Sequence, residues 1–182
     1  LELGRSREGV MHCINFTVGD LVTAVMVEIF DLFDPAAADA VRLTDTYGDI
    51  SQVLDQKGTR LEFDADTWQA KVCLDLAKVK QVLRNLLTNA FKYRSSYVNI
   101  SGFIGKKSLT LIVKDDGRGI PKADHQKIFN TYFSNGGSVD ETVQSHGLGL
   151  AGVLVLLRDM GGTLDLVSED GDGATFTVTI PL

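Results

Sequence analysis

The 182-residue chain is 44% hydrophobic and 23% charged, enough for one well-buried core and too short for two. Its net charge of −6 argues against a nucleic-acid partner, although a local site can still take phosphate through backbone N–H groups. Two cysteines, Cys13 and Cys73, in no metal-like spacing, argue against a disulfide framework and fit a reducing cytoplasmic setting.

No apolar run approaches the roughly 20 residues that span a bilayer, so no membrane contact is expected of this piece. A start at Leu1 without Met, and an end just after a strand-like run, lead us to expect a fragment of a longer chain. Residues 1–15 read as a connector and 16–182 as a single domain. "FTVGDLVTAVMVEIFDLF" places apolar residues at helical spacing behind Asp20. "DPAAADAVRLTDTYGD" then breaks the pattern with Pro35 and Gly48, and "ISQVLDQKG" resumes it as far as Gly58. "RLEF" and "AKVCL" read as short strands on either side of a polar turn. "LAKVKQVLRNLLTNAFKY" is a long helix, and "SYVNISGFIGKKSLTLIVKDDG" alternates around "GKKS" as a hairpin. Between Pro121 and His146 a short helical piece, "ADHQKIFNTYF", gives way to a span with the composition of a loop. "GLGLAGVLVLLRDMGG" opens on glycines and continues as a helix, and "TLDLVSEDGDGATFTVTIPL" closes the chain as two strands around a Gly-rich turn.

Chemistry gathers in three places. On the long helix, Val79, Leu83, Leu86, Leu87 and Ala90 form a core stripe, while Asn85, Asn89 and Lys92 share the opposite flank with Tyr93 at its margin. A carboxamide oxygen can ligate Mg²⁺, and an ammonium can meet phosphate. "IVKDDGRGIP" ends a strand at Asp115 and follows it with Gly117 and Gly119, so a carboxylate stands where the backbone turns sharply enough for a ligand to approach. "SHGLGLAGVLVLL" starts a helix on Gly147 and Gly149, leaving N–H groups and a positive dipole end for phosphate. Each signal alone is weak, since polar helix flanks, Asp-Gly turns and lone GxG triplets are common.

In this order and separation the three resemble the N, G1 and G2 boxes of the GHKL ATP-binding superfamily, most closely the catalytic and ATP-binding domain of sensor histidine kinases. "QVLRNLLTNAFKY" looks like the N box, "VKDDGRGIP" like G1, "IFNTYF" like the F box and "HGLGLAGV" like G2. The likeness runs from about Phe16 to Pro181, and "LELGR…FTVGDLV" is similar to the exit from a dimerisation helix. It implies a Bergerat-type fold of the α/β class, an α+β two-layer sandwich. That fold has a mixed, mostly antiparallel sheet of about five strands with three main helices on one face. It also implies ATP and Mg²⁺ as cofactors. Asn89 would hold the metal, Asn85 would support metal and phosphates, Lys92 would reach phosphate and Tyr93 would lie against the nucleoside. Asp115 would accept from the adenine amine, with Gly117, Gly119 and Ile120 shaping the pocket. Phe129, Tyr132 and Phe133 would anchor a lid. His146, Gly147, Leu148, Gly149 and Leu150 would surround the polyphosphate, and Thr175 would act near adenine through water.

In the hydrolytic branch of the superfamily a Glu stands one turn before the metal Asn. Here that residue is Asn85, which cannot act as a general base, so phosphoryl transfer to a protein acceptor is expected instead. Four features depart from the pattern. Asp116 stands where Asn is usual, adding negative charge near the nucleotide, and Ser145 stands where Gly is expected. No Lys or Arg lies between Phe129 and Gly147, which leaves Lys92, Arg94, His146 or the metal to neutralise the γ-phosphate. The span from Phe16 to Lys57 is long. None of His12, His125 and His146 sits in a phosphoacceptor context, so ATP binding without self-phosphorylation is expected. The partners implied are the dimerisation and phosphoacceptor domain of the same protein and a response regulator receiver domain. A degenerate regulatory module and an anti-sigma-factor type serine kinase are the alternatives.

Overall fold

A computed structural model describes residues 13–130 and 149–182. In chain order the elements are β1 (Cys13–Thr17), α1 (Val18–Phe33), α2 (Pro35–Arg42), α3 (Tyr47–Asp55), β2 (Thr59–Glu62), α4 (Ala65–Gln69) and β3 (Lys71–Asp75). They continue with α5 (Leu76–Tyr93), β4 (Val98–Ile104), β5 (Ser108–Asp115), α6 (His125–Asn130), α7 (Leu150–Asp159), β6 (Thr163–Ser168) and β7 (Ala174–Pro181).

Helix starts are written in short polar side chains. Thr17 and Asp20 form a reciprocal capping box on α1, and the Asp75 carboxylate accepts from the Lys78 N–H at the head of α5. Asp34 does the same for α2, with Pro35 in the first turn. Pro35 reads in the sequence as an interruption, but at the first helical position its missing N–H costs nothing, and it starts a helix instead.

The sheet order is β2-β4-β5-β7-β6, with β2 parallel to β4 and every other pair antiparallel. This is the expected five-stranded mixed sheet. In one cross-sheet row Ile100, Val113, Phe176 and Leu166 stand side by side, and with α1, α5 and α7 they build the core. The alternate rows hold Ser101, Ile112, Thr177 and Asp165, and the large side chains Phe103 and Val167 on that side stay exposed. The outer edge of β2 is occupied by a side chain. The Tyr47 hydroxyl donates to the Leu61 carbonyl at 2.9 Å and accepts from the Phe63 N–H at 3.3 Å, which satisfies backbone groups that an edge strand would expose.

Three further readings change. Residues 13–15, assigned to the connector, lie in β1, which pairs antiparallel with β3 and so belongs to the folded unit. The polar turn before β3 contains α4, capped by Asp64. Cys13 and Cys73, whose number and spacing argued against a disulfide framework, are joined by a disulfide across the β1–β3 ribbon with their Cα atoms 5.3 Å apart. The spacing of 60 residues hid a diagonal contact across a ribbon in which Cys13 pairs with Asp75 and Cys73 with Asn15.

Candidate functional site

The site is assembled around the turn that follows β5. Asp115, the last residue of that strand, is 5% exposed, and its Oδ1 accepts from the Gly117 N–H at 2.9 Å. Gly117 packs so closely on the Tyr93 carbonyl that a Cβ there would collide with it. Gly119 adopts φ +72°, and a Cβ would strike the Glu169 carbonyl. These two glycines therefore bring the end of α5 and the β6–β7 turn into backbone contact with the strand exit.

Side chains fasten both flanks. Ser168 Oγ accepts from the Ile120 N–H at 2.8 Å and donates to the Gly173 carbonyl, joining the turn to the closing hairpin. On the other side the Asp116 carboxylate accepts from the N–H groups of Ser95 and Tyr97 at 2.9 and 3.0 Å, and from Ser96 as well. The second Asp of "DDG" thus ties down the α5–β4 connection, while its charge still acts on the neighbouring Asp115.

This framework encloses a cavity of about 660 Å³. α5 supplies Asn89 and Tyr93, the strand-end turn supplies Asp115, Arg118, Gly119 and Ile120, and α7 supplies Gly149 and Leu150. Ile128 of α6 together with Ala174 and Phe176 of β7 makes the remaining wall largely apolar. A volume of this size, mostly apolar with a few convergent polar groups, is that of a site for a nucleotide-sized molecule. At its far end α7 begins at Gly149, with no side chain capping it and nothing among the described residues within 4 Å of where a Cβ would sit. Its leading N–H groups are available to an anion.

The carboxylates differ in proton affinity for local reasons. Burial pushes Asp115 above the ordinary carboxylate range, against the opposing pull of the Gly117 and Ala174 N–H groups. Partial burial acts the same way on Asp116, but the N–H groups of Ser96, Tyr97 and Ser95 outweigh it and hold that carboxyl below its usual value. Burial also lowers Arg94, whose guanidinium donates to the Lys57 and Gly58 carbonyls and lies 4.3 Å from the Phe91 ring centre. Arg94 is therefore committed to the fold, and its place among the candidate phosphate cations falls.

For a metal, the described residues hold no cluster of three or more His, Cys, Asp or Glu side chains. Such a cluster is not what Mg²⁺ needs beside a polyphosphate. One hard oxygen from the protein suffices when phosphate and water complete the shell, and the Asn89 carboxamide on the cavity wall fits that donor set.

Of the residues singled out from sequence, Asn89, Tyr93, Asp115, Gly119, Ile120, Gly149 and Leu150 converge on this cavity. Gly117 shapes it from behind, and Lys92 stands at its rim with Nζ 5.3 Å from the Tyr93 ring centre. Phe129 packs against the core beside it. Asn85 does not reach the wall: it lies one turn back on α5, buried, with Oδ1 accepting from Gln81 Nε2 at 3.1 Å. The expectation that it shares the ligand-facing flank with Asn89 and supports metal and phosphates therefore finds no place for it on the cavity wall. Thr175 also misses the cavity. It pairs with Lys114 and Val167 on the alternate sheet face, and its neighbours Ala174 and Phe176 take the wall. Tyr132, Phe133, His146, Gly147 and Leu148 lie outside the described residues. Arg118, Ser168, Ala174 and Phe176 escaped the sequence reading. Strand alternation counted from Asp115 and its partner Ala174 would have found the last two.

Residues 74–182, more than half of the chain, match the family described as histidine kinase-, DNA gyrase B- and HSP90-like ATPase. The sensor protein RstB of Escherichia coli (strain K12) is 38% identical over 109 residues, covering 60% of this chain and 25% of that protein. The chain thus spans about a quarter of that relative's length. Among solved structures, the nucleotide-free catalytic domain of the histidine kinase ThkA is similar with a TM-score of 0.61 and 22% identity, covering 94% of this chain and 96% of that one. Full-length ShkA in complex with AMPPNP gives a TM-score of 0.65 at 21% identity, covering 97% of this chain and 32% of that one. At such identities the structures speak for the fold.

Proposed function

The chain belongs to the histidine kinase-, DNA gyrase B- and HSP90-like ATPase family, and on that premise we propose that it is the ATP- and Mg²⁺-binding catalytic domain of a two-component sensor histidine kinase. The observation that carries this reading is the convergence of Asn89, Asp115 and the uncapped start of α7 on one cavity.

Each residue has a task suited to its chemistry. Asp115 accepts from the exocyclic amine of adenine, a contact that guanine, with a carbonyl at that ring position, does not offer. Tyr93 lies against the nucleoside, and Ile120, Leu150 and Phe176 supply apolar surface. Asn89 offers its carbonyl oxygen to Mg²⁺, Lys92 faces phosphate, and the amides from Gly147 through Leu150 meet the polyphosphate. Bound Mg²⁺ supplies charge neutralisation and in-line alignment of the γ-phosphoryl group.

The acceptor is a histidine on a dimerisation domain of the same protein, from which a receiver domain takes the phosphoryl group next. Asn85 supports transfer over hydrolysis, because a buried carboxamide cannot remove a proton from water. His125 is no acceptor: Nε2 lies 3.0 Å from the Ile120 carbonyl, on the structural side of the turn.

Calorimetry with ATP, ADP and GTP, with and without Mg²⁺, tests the binding half. We expect saturable, Mg²⁺-strengthened binding of ATP and weak binding of GTP. Fusing a dimerisation and phosphoacceptor segment to Leu1 tests the transfer half, with labelled phosphate expected on that segment. ATP that fails to saturate at millimolar concentration would refute the proposal.

A further inference from the structure

We infer that Arg118 is a second cation, beside Lys92, that meets the phosphates of the bound nucleotide, a role that rests on the ATP-binding reading above. The need comes from charge. Asp115, Asp124 and Asp170 all line the cavity, and a polyphosphate brings more negative charge into the same space. Between Phe129 and Gly147 the chain has no Lys or Arg and carries Asp140 and Glu141, so that span brings no permanent cation to offset it.

Apart from Lys92, the basic residues near the turn are already engaged. Lys127, on the cavity wall, pairs with Asp124 at 2.7 Å, Lys122 pairs with Glu169 at 3.0 Å, and Arg94 is bound to the carbonyls of Lys57 and Gly58. Arg118 lines the cavity and forms no ion pair or side-chain hydrogen bond among the described residues. Its guanidinium lies 5.8 Å from the Tyr93 ring centre, a ring that also carries Lys92 at 5.3 Å. Two cations thus share one aromatic ring at the mouth of the cavity, beside the residue that bears the candidate metal ligand's helix end.

The backbone beneath Arg118 is fixed even though its side chain is exposed. Gly117 and Gly119 flank it in close backbone contacts, and its carbonyl accepts from the Gly171 N–H at 2.6 Å. A guanidinium on such a base reaches over the ring from a constant origin, so binding orders only the side chain. Its planar fork suits two oxygens of a phosphate better than an ammonium does.

The experiment is calorimetric titration of wild type, Arg118→Gln and Arg118→Lys with adenosine, AMP, ADP and ATP in the presence of Mg²⁺. A phosphate contact predicts that Arg118→Gln weakens ATP about tenfold and adenosine less than twofold, the loss growing with phosphate number. Arg118→Lys should recover part of the ATP affinity. Because the side chain is exposed, both variants should melt within about 2 °C of wild type. Equal losses for adenosine and ATP would reassign Arg118 to the nucleoside and overturn the inference, as would unchanged ATP affinity, while the ATP-binding reading survived. Failure of the wild type to bind ATP would overturn both.

Discussion

The helices α5 and α7 both line the same cavity and serve it by different means. α5 begins away from the cavity under the Asp75 cap, runs through the core, and delivers Asn89, Lys92 and Tyr93 in its last turns. α7 begins at the cavity on Gly149, with no side-chain cap among the described residues, and buries Ala151, Gly152, Val153 and Leu157 behind it. One helix presents side-chain atoms and the other presents its own N–H groups. The difference is consistent with where the dipoles point: the Asn89 carboxamide, the candidate metal ligand, and the Lys92 ammonium sit at the negative end of α5, and the positive end of α7 is the one that favours an anion.

The largest effect that would break this picture comes from the turn between the helices. Gly119→Ala places a Cβ against the Glu169 carbonyl at a positive φ, and should cost about 3 kcal/mol or more in chemical denaturation. Next comes Asn89→Ala, which should abolish the Mg²⁺-dependent gain in ATP affinity, a loss of about 100-fold by calorimetry, with little change in melting temperature.

Asp115→Asn separates binding from stability. Burial raises the folded-state pKa of Asp115 above its unfolded value, so its ionised form costs stability at pH above the folded value. That cost vanishes as pH falls below the unfolded value near about 4. The Asn variant should therefore melt higher than wild type at pH 7, with the gap closing toward pH 4, while ATP affinity drops about tenfold and the preference over GTP shrinks. A variant that melted lower at neutral pH would contradict the burial argument.

Asp75→Ala and Gly149→Ala sharpen the contrast between the helices themselves. The first removes a cap far from the cavity and should cost about 1 kcal/mol of stability while leaving nucleotide affinity intact. The second adds a methyl group where no described residue lies within 4 Å, so the melting temperature should hold while phosphate affinity falls a few-fold.

What could be read beforehand follows the same division. The bounds of α5 and the identities of Asn89, Asp115 and Gly149 were legible, because apolar stripes and glycine punctuation report local geometry directly. Asn85 was grouped with Asn89 because helical spacing puts both on one flank, and neither its burial nor the neighbouring Gln81 shows in that spacing. Thr175 was misplaced by one residue, since the phase of a strand is set by its neighbours, here the pairing of Asp115 with Ala174. Arg118 occupied the variable position of a glycine motif and carried no pattern. The disulfide between Cys13 and Cys73 and the ties made by Asp116 and Ser168 are tertiary facts, formed between residues whose separation in sequence carries no signal.

The most direct test of the central claim is a crystal structure with a non-hydrolysable ATP analogue and Mg²⁺. The account predicts the purine against Asp115, the metal on the Asn89 carboxamide and the phosphates before the start of α7. A nucleotide bound elsewhere, or a purine turned away from Asp115 with Asn89 off the metal, would contradict it.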